Sequence, residues 1–416
     1  MKKTLLVTLD FYPKIGGVAN YYFNLCQNLP QDKIAVLTEE QGDKNTRTQE
    51  NKESIFNFKI IREKLLTRWC WPGWWLMVFK IWQAIGKERI ERLWVGDIWP
   101  TGLAVYLVSI FSNKPYIISA HGKDLLLVKR SKVKGLLART ILKQAVAITV
   151  NSQSTGRIVE SFGVAQEKIK VIYPGVDIQK YNLPAGEAGN TGIHPPVRQA
   201  EASEALRVGE YKKIIIEKYG LAGKNILLSV GRLVERKGFD KVIEALPEIA
   251  GAVENLVYVI VGEGPDRQRL GQKITKSQNH KNIKIKDREN NNPKIIFTGE
   301  VSEDEKLTWL ELCDVFIMPA RESRDDVEGF GIVYLEAGMA DKPVVAGKSG
   351  GASEAVVDGQ TGILIDPERT EEVAGAVIKL LKDGELRKEM GENGRGRAEK
   401  YFNWGISGKK MEEILS

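Results

Sequence analysis

The sequence predicts an α/β protein with two Rossmann-like domains, each built on a doubly wound parallel sheet. Three observations support this prediction. The chain has 416 residues, which is more than one ordinary hydrophobic core needs. Short apolar runs alternate with segments of helical length, as they do when helices cover a parallel sheet. This alternation occurs in two series, and a segment poor in large apolar residues separates them.

The first series of strand candidates predicts an N-terminal domain over residues 1–182. The first apolar run, TLLVTL (4–9), is followed closely by Asp10 and Pro13 and lacks a cleavage site of small residues. We therefore interpret it as a buried strand and not as a secretion signal. In chain order the candidate strands are TLLVTL (4–9), IAVLT (34–38), RLWVGDI (92–98), PYIISA (115–120), AITVN (147–151) and IKVIYP (169–174).

The second series predicts a C-terminal domain over residues 207–402. Residues 183–206 are rich in Gly, Pro, Ala and Glu and predict an interdomain linker. The polar run 276–292 predicts an exposed loop within the second domain. In chain order the candidate strands are NILLSVGR (225–232), VYVIVG (257–262), KIIFTG (294–299), VFIMP (315–319), KPVVAG (342–347) and GILID (362–366).

Composition excludes several classes of protein. Hydrophobic residues make up 43% and charged residues 28% of the chain, which is typical of globular proteins. The net charge of +7 favours anionic ligands or surfaces but is too small to indicate a nucleic-acid partner. The three cysteines have no metal-ligand spacing, which favours a reduced, cytoplasmic protein. No stretch approaches the roughly 18 apolar residues of a spanning helix.

Two loops that follow predicted strands carry candidate ligand-binding residues. GRLVERKG places Arg232 and Lys237 beside a helix N-terminus, where two cations can neutralise a diphosphate. A solvated charged loop explains this octapeptide about equally well. VGEGPDRQRL supplies Gly262 and Gly264, but Arg267 stands where a dinucleotide fingerprint needs glycine. A dehydrogenase is therefore disfavoured.

The motif EGFGIVYLE places Glu328 at the end of a strand and Glu336 in the helix that follows. The glycine-rich turn would expose the N–H groups of Phe330, Gly331 and Ile332 at the positive end of that helix, which predicts a phosphate site. On either side one carboxylate can accept hydrogen bonds, Glu328 from a sugar and Glu336 from a ribose. A nucleotide sugar presents the matching groups in this order: the hydroxyls of a sugar, a diphosphate and the hydroxyls of a ribose. Two unrelated solvent-facing glutamates are the alternative.

These motifs resemble those of the family-4 retaining glycosyltransferases of GT-B fold, in which two Rossmann-like domains face each other across a cleft. The likeness covers nearly the whole chain. It rests on GGVANYY, GRLVERKG, VGEGP, FTGEVSEDE, CDVFIMPA and EGFGIVYLEAGMADKPVVAGKSGGASEAVVDGQTGILID. Within the family, DVEGFGIVYLEA, LWVGDIWPTGLA and SAHGKDLL are most similar to the mannosyltransferases that use GDP-mannose, including those that act on phosphatidylinositol mannosides.

The resemblance implies a role for each matching residue. Arg232 and Lys237 would stabilise the departing diphosphate, and His121 would contact the donor sugar near its reacting carbon. Glu328 would hold the hydroxyls of that sugar, and Glu336 would bind the ribose. Further donor contacts would come from Gly16 and Gly17, from Glu263, Gly264, Pro265 and Val301, and from Phe330, Gly331 and Ile332.

The resemblance implies transfer of a hexose to a lipid-linked or glycan acceptor with retention of configuration. The hexose that fits the resemblance best is mannose, with GDP-mannose as the donor. The leaving phosphate would help to deprotonate the acceptor, so no side-chain nucleophile is needed. The resemblance implies no cofactor. Asp325 and Asp326 are adjacent and do not form D-x-D, so we expect no metal. A UDP-sugar donor, a GT-B nucleotide-sugar epimerase and a nucleotide-sugar-binding protein without catalysis remain alternatives.

An anionic membrane surface is a further candidate partner. Residues 123–144 combine seven Lys or Arg with leucines and valines at near-helical spacing, which predicts a helix lying on a membrane. A helix packed on the sheet with a solvated basic face is equally compatible. We expect Trp75 and Trp82 in the core and Trp69 and Trp71 exposed. The location implied is cytoplasmic, peripheral at the inner face of the cell membrane.

The C-terminal sequence FNWGISGKKMEEIL resembles the family's final helix. The resemblance implies that residues 403–416 pack back on the first domain. Closure of the two domains would then assemble the site.

Overall fold

A computed structural model describes residues 1–14, 16–40, 57–67, 72–181, 209–279, 293–323 and 326–416, with only the backbone of 276–279. The chain divides into two compact units. The N-terminal unit comprises Met1–Gly175, a short segment that ends at Phe330, and Phe402–Ser416. The C-terminal unit comprises Val176–Ser323 and Gly331–Tyr401. The predicted linker 183–206 lies outside the described residues, so its bounds stay a prediction.

The N-terminal unit contains a parallel sheet of seven strands in the order β3-β2-β1-β4-β5-β6-β7. Along β1 the side chains alternate between two cores, with Leu5 and Val7 on one face and Leu6 on the other, as the period of a strand requires. The strands are β1 Thr4–Thr8, β2 Ile34–Glu39, β3 Lys59–Glu63, β4 Arg92–Val95, β5 Tyr116–Ala120, β6 Ala147–Val150 and β7 Ile169–Val171.

Helices cover both faces of this sheet. One face is covered by helices α2, α3, α4 and α5, which bury their apolar sides in one core cluster. Helix α1 covers the other face, where Tyr22 and Leu25 are buried. The helices are α1 Gly17–Gln27, α2 Trp75–Glu88, α3 Leu103–Ser112, α4 Lys123–Lys129, α5 Lys132–Gln144 and α6 Gln153–Glu160.

The C-terminal unit contains a parallel sheet of six strands in the order β10-β9-β8-β11-β12-β13. The strands are β8 Asn225–Val230, β9 Leu256–Val261, β10 Lys294–Gly299, β11 Val315–Met318, β12 Val344–Gly347 and β13 Gly362–Ile365. The helices are α7 (209–219), α8 Phe239–Ala252, α9 Arg267–Asn279, α10 Glu303–Leu312, α11 Ile332–Met339, α12 Ala352–Ala355, α13 Thr370–Lys382 and α14 Gly384–Tyr401.

The last helix, α15 (Trp404–Leu415), belongs to the N-terminal unit. Its residues Trp404 and Met411 are buried in the same core cluster as Leu25 of α1. Gly408 permits close packing of the two helices, because a Cβ at this position would lie 2.6 Å from the backbone oxygen of Asn28.

The predicted α/β class with two Rossmann-like parallel sheets is confirmed, and every predicted strand is present. Strand β3 was not predicted, because it is an edge strand with only half-buried or exposed side chains and lacks a clear apolar run. The predicted single basic helix 123–144 is two helices, since Ser131 caps the second through the backbone N–H of Lys134. The first residues of the predicted loop 276–292 are helical, because α9 continues to Asn279, and residues 280–292 lie outside the described residues.

The expectation that Trp75 and Trp82 lie in the core is wrong, since both side chains are largely exposed. Helix α2 fills its core-facing side with the smaller residues Met77, Ile81 and Ala84. Trp69 and Trp71 lie outside the described residues. Among the helices that the structure describes, none is long and apolar enough to cross a membrane.

The strand order of each sheet indicates where a ligand can bind. The order reverses beside the first strand of each unit, between β1 and β4 and between β8 and β11. Ligands of such sheets bind beyond the carboxyl ends of the strands at this point. The loops that follow these strands carry most of the predicted site residues.

Candidate active site

His121 follows β5 directly and is held by the turn after it. Gly122 has a φ of 95°, a conformation that glycine adopts without steric cost. The backbone N–H of His121 donates to Oδ1 of Asp124 over 3.1 Å. The imidazole is thereby fixed at the carboxyl end of the sheet.

A hydrogen bond from helix α1 determines the tautomer of His121. The Tyr22 hydroxyl lies 2.6 Å from the carbonyl oxygen of Gly96 and 2.7 Å from Nε2 of His121. A carbonyl can only accept, so the single hydroxyl proton goes to Gly96. Nε2 must then carry the proton that it shares with the Tyr22 oxygen, and Nδ1 is left as an acceptor.

Burial also keeps this imidazole neutral. It lowers the pKa of His121 to about 4, although the negative charge of Asp10 works in the opposite direction. The rings of Tyr21 and Tyr22 meet the imidazole edge-on at 5.1 and 5.3 Å. At neutral pH His121 can therefore exchange hydrogen bonds with a ligand without carrying charge.

Glu328 lies in the same unit as His121, and close backbone packing positions it. A Cβ on Gly329 would lie 2.5 Å from Nδ2 of Asn151 and 3.0 Å from the backbone oxygen of His121. The segment that carries Glu328 thus rests against the loops after β5 and β6. Asp326 adds an ion pair with Lys123 over 3.6 Å. The structure therefore brings two of the four predicted catalytic residues close together.

Aromatic packing holds Phe330 in place, and Gly331 caps the helix that follows it. The Phe330 ring packs against Tyr173 and Phe402, each at 5.4 Å between ring centroids. Gly331 has a φ of 87° and caps helix α11, which begins at Ile332. The helix therefore starts later than the glycine-rich turn alone predicted.

Gly16 and Gly17 lie at the N-terminus of α1 and are open. A Cβ at either position would meet nothing within 4 Å. No described side chain or backbone therefore crowds these two positions, and the role implied for the glycines stays a prediction.

In the C-terminal unit, Arg232 and Lys237 lie in the loop after β8 in different environments. Arg232 is exposed, whereas Lys237 is buried. Nζ of Lys237 lies 3.9 Å from the Cβ position of Gly231, so the amine sits at the carboxyl end of β8. Gly238, with a φ of 75°, turns the chain into helix α8.

Backbone hydrogen bonds join this loop to the one that carries Glu263, Gly264 and Pro265. The N–H of Leu233 donates to the carbonyl of Glu263 over 2.9 Å, and the N–H of Asp266 donates to the carbonyl of Leu233 over 3.1 Å. A Cβ on Gly264 would collide with the backbone of Leu233. Val301 is half-buried after β10. These two loops therefore form one rigid surface.

An ion-pair network supports the same loops. Asp240 accepts from Arg321 over 3.0 Å and from Arg269 over 3.3 Å. Burial opposes ionisation of Asp240, but the hydrogen bond and charge of Arg321, helped by Arg269, outweigh burial and lower its pKa. This network could not be predicted from the sequence, since its members lie in three separate segments.

Glu336, predicted to bind a ribose, forms an ion pair with Lys306. Its Oε1 accepts from Nζ of Lys306 over 2.9 Å, and Lys306 also pairs with Glu303. Burial opposes the charged form of Lys306, but the two carboxylates outweigh it and raise the pKa. Burial and the same carboxylates raise the pKa of Tyr181. Lys306 directly follows the quoted FTGEVSEDE, and the sequence analysis assigned it no role.

Asp97 is a buried acid that sequence reasoning missed. It lies in the loop after β4, its Oδ2 accepts from the Thr101 hydroxyl over 2.8 Å, and its Oδ1 is buried without a hydrogen-bond partner. Burial raises its pKa to about 7; the Thr101 hydrogen bond opposes this shift, and the charges of Asp124 and Asp10 add to it. Asp97 lies within the quoted LWVGDIWPTGLA, but nothing in that stretch indicated that folding would bury its carboxylate.

The predicted site residues divide between the two units. The N-terminal unit holds His121, Glu328 and Phe330 with Gly16 and Gly17. The C-terminal unit holds Arg232, Lys237, Glu263, Gly264, Pro265, Val301, Gly331, Ile332 and Glu336.

In the part of the chain that the structure describes, no group of three His, Cys, Asp or Glu is arranged to hold a metal ion.

Comparison with known proteins decides the family. Residues 15–180 match the family model described as Glycosyltransferase Family 4, and residues 212–397 match the model described as Glycosyl transferases group 1. The chain belongs to the family-4 glycosyltransferases of GT-B fold. The predicted family and fold, and with them a glycosyltransferase activity, are confirmed. The roles of individual residues stay predictions.

Curated relatives match this glycosyltransferase from end to end. A GDP-mannose-dependent alpha-(1-6)-phosphatidylinositol monomannoside mannosyltransferase of Mycobacterium tuberculosis is 28% identical over 418 residues, covering 100% of this chain and 98% of the relative. A Corynebacterium glutamicum enzyme for the monoacylated substrate is 28% identical over 425 residues, with the same coverage. Anabaena HepE, solved with UDP and glucose, has a TM-score of 0.75 at 20% identity, covering 100% of this chain and 99% of HepE, and shows the fold alone.

Replacing Gly329 by Ala tests the placement of Glu328. The new Cβ collides with the amide of Asn151 and crowds the carbonyl of His121, so the segment must shift. We expect nucleotide release from the donor to slow by about tenfold or more, since displacements near 1 Å are costly to catalysis. Gly375→Ala is the matched control, because a Cβ there meets nothing within 4 Å. Equal rates for the two variants would contradict this placement.

Replacing Tyr22 by Phe tests the tautomer of His121. The variant loses the partner of Nε2 but keeps the ring, so we expect a mixture of the two neutral tautomers, a lower kcat and about 1 kcal/mol less stability. Ring-nitrogen NMR can show this directly, because the chain has three histidines. Tyr21→Phe is the control, since the Tyr21 hydroxyl donates to Ile172 and not to the imidazole. An unchanged tautomer in Tyr22→Phe would contradict the assignment.

Replacing Asp97 by Asn should stabilise the protein in a pH-dependent way. A carboxyl whose pKa is raised in the folded state contributes stability below its unfolded pKa, and that contribution is lost as the pH rises through about 7. The gain of Asp97→Asn in urea unfolding should therefore be larger at pH 8 than at pH 5, by on the order of 2 kcal/mol. The exposed Asp32→Asn is the control. A gain independent of pH would contradict the burial of this carboxylate.

Proposed function

We propose that this enzyme transfers mannose from GDP-mannose to a lipid-linked or glycan acceptor, with retention of configuration. The observation that carries the proposal is the likeness to GDP-mannose-dependent mannosyltransferases over the whole chain. A donor preference depends on residues spread along the C-terminal unit, so a likeness without gaps in coverage supports a shared donor better than a likeness of one motif. The acceptor class rests on the same relatives.

The loops of the C-terminal unit support departure of a diphosphate. Breaking the bond between the anomeric carbon and the phosphate oxygen leaves negative charge on the diphosphate. The buried amine of Lys237 and the exposed guanidinium of Arg232 lie on one rigid loop where they can neutralise this charge without first reorganising. Two fixed cations can take the place of a metal ion here, and we propose a reaction without one.

The N-terminal unit supports sugar binding without a covalent intermediate. His121 is neutral and has a fixed tautomer, so it offers one hydrogen-bond acceptor to a sugar hydroxyl. Glu328 is buried close by and can accept from further hydroxyls. The acceptor oxygen bonds to the anomeric carbon as the phosphate oxygen leaves, and the acceptor proton passes to that phosphate oxygen. No protein side chain is consumed, which fits retention by a front-face route.

A lipid-linked acceptor requires contact with a membrane surface. Helices α4 and α5 carry the basic residues of the segment 123–144, and Val133 and Leu136 are exposed among them. An exposed apolar residue beside cations is suited to the boundary of an anionic bilayer. We therefore propose a peripheral location at the cytoplasmic face of the cell membrane.

A thermal-shift panel against nucleotide sugars tests the donor. GDP-mannose and GDP should stabilise the protein, whereas UDP-glucose, UDP-galactose and UDP-N-acetylglucosamine should not. A ligand at a hundred times its dissociation constant adds about 2.7 kcal/mol, which is easily measured. The shift should survive EDTA. A control panel of free mannose and free phosphate should give none.

The other outcomes identify the alternatives. A selective response to UDP sugars would overturn the GDP-mannose proposal and leave a UDP-dependent glycosyltransferase. Conversion of UDP-N-acetylglucosamine without an acceptor would identify a nucleotide-sugar epimerase. A GDP-mannose response with no mannose transferred to a membrane lipid extract or to soluble glycans would favour a binding protein without catalysis.

A further inference from the structure

A chain of hydrogen bonds connects the loop after β4 to the imidazole of His121. The carbonyl of Gly96 accepts from the Tyr22 hydroxyl over 2.6 Å, and the same hydroxyl oxygen lies 2.7 Å from Nε2 of His121. Because this carbonyl takes the hydroxyl proton, Nε2 keeps its own proton and Nδ1 stays an acceptor. The tautomer of His121 therefore depends on the direction in which the Gly96 carbonyl points.

The backbone of Asp97 sets that direction. The carbonyl of Gly96 belongs to the planar peptide that joins Gly96 to Asp97, so it turns with the backbone of Asp97. Gly96 itself has little freedom, because its N–H donates to the carbonyl of Val7 over 2.9 Å and a Cβ on it would lie 2.5 Å from the Cβ of Thr8. A small displacement of Asp97 can therefore rotate the carbonyl while the Cα of Gly96 stays in place.

The side chain of Asp97 lies beside a second carboxyl group, that of Asp124 in α4. Burial and, to a smaller extent, the negative charge of Asp124 raise the pKa of Asp97. Among the described residues, one buried oxygen of each carboxyl has no hydrogen-bond partner, namely Oδ1 of Asp97 and Oδ2 of Asp124. Two ionised carboxylates in such surroundings repel each other, and a proton on one of them removes the repulsion.

The hydrogen bonds of the pair assign this proton to Asp97. Asp124 accepts from several backbone N–H groups, among them that of His121 over 3.1 Å, and such bonds favour its ionised form. The hydrogen bonds of Asp97 come from Thr101, whose hydroxyl lies 2.8 Å from Oδ2. Burial, opposed by Thr101 and assisted by the charges of Asp124 and Asp10, raises the pKa of Asp97 to about 7.

The other groups around Asp97 do not change their charge near neutral pH. Burial raises the pKa of Tyr22 well above its usual value and lowers the pKa of His121 to about 4. Lys134 of α5 lies over the ring of Trp99, with Nζ 5.0 Å from the ring centroid. A change in this loop at pH 7 can therefore be attributed to the carboxyl of Asp97.

We propose that Asp97 is a positioning residue for His121, and that a proton on Asp97 keeps the Gly96 carbonyl turned towards Tyr22. When Asp97 loses this proton to solvent, repulsion from Asp124 displaces its backbone and the carbonyl turns away. The Tyr22 hydroxyl then donates to Nε2, and the imidazole carries its single proton on Nδ1. His121 stays neutral, but it offers a ligand a donor in place of an acceptor.

The consequence for catalysis rests on the proposed function, in which Nδ1 of His121 accepts from a hydroxyl of the donor sugar. Loss of this acceptor should slow mannose transfer as the pH rises through about 7, the value at which Asp97 ionises. The tautomer of the free protein does not depend on the proposed function, so it can be tested without a substrate.

Ring-nitrogen NMR of the full chain at pH 6 and pH 8 tests the tautomer. In the wild type, the Nε2–H form of His121 should predominate at pH 6 and the Nδ1–H form at pH 8. Asp97→Asn is uncharged at both pH values and should keep the Nε2–H form. Asp32→Asn, at an exposed position, is the matched control and should behave as the wild type.

A second variant tests the same carboxyl without replacing it. The hydrogen bond from Thr101 lowers the pKa of Asp97, because it favours the ionised form. Thr101→Val removes this bond and keeps the size of the side chain. The change of tautomer should therefore occur at a higher pH than in the wild type.

The pH profile of mannose transfer gives an independent readout. In the wild type, kcat should fall by about tenfold between pH 6 and pH 8, as expected when only the form with protonated Asp97 is active. This fall should disappear in Asp97→Asn. Tyr22→Phe lacks the hydroxyl through which Asp97 acts, so adding Asp97→Asn to it should not change its pH profile further.

Two results would overturn the proposal. One is the same tautomer of His121 in the wild type at pH 6 and pH 8. The other is a change of tautomer in Asp97→Asn equal to that of the wild type. A protein that transfers no mannose would contradict the proposed function but would leave the NMR test intact, so the two failures are distinguishable.

Discussion

Burial of both faces of each parallel sheet is the constraint on which the rest of the structure depends. All five residues of β1 and all six of β9 are buried, so the strands cannot carry polar side chains for ligands. Polar chemistry is confined to the loops at their carboxyl ends. His121, Arg232 and Lys237 all follow strands within a few residues. The fold thus determines where the chemistry is, and loop sequences determine what it is.

Backbone contacts give these loops their rigidity. Gly264 against Leu233 and Gly329 against His121 are positions where the backbone of one loop occupies the space of a side chain in the next. Packing of this kind has little freedom to relax. Side chains on these loops are therefore held in place before a ligand binds. Electrostatic stabilisation of a leaving group requires such preorganisation.

The fold could be predicted because it depends on local patterns. Apolar runs predicted twelve of the strands that the structure contains, and local motifs marked His121, Glu328 and Lys237 as candidate site residues, whose roles stay predictions. Residues that act through contacts distant in sequence could not be predicted. The Tyr22 hydroxyl reaches His121 across 99 positions, and Asp97 is unusual only because folding buries it. Trp75 and Trp82 were misassigned because helical spacing shows that residues share a face but does not show whether that face is covered.

Pairing of Glu336 with Lys306 does not contradict a role in binding ribose. A carboxylate has acceptor capacity for about four hydrogen bonds, and the pair uses only part of it. An ion pair holds both of its side chains in one geometry. Lys306 therefore limits the rotation of Glu336, and the salt bridge orients the carboxylate before a diol arrives.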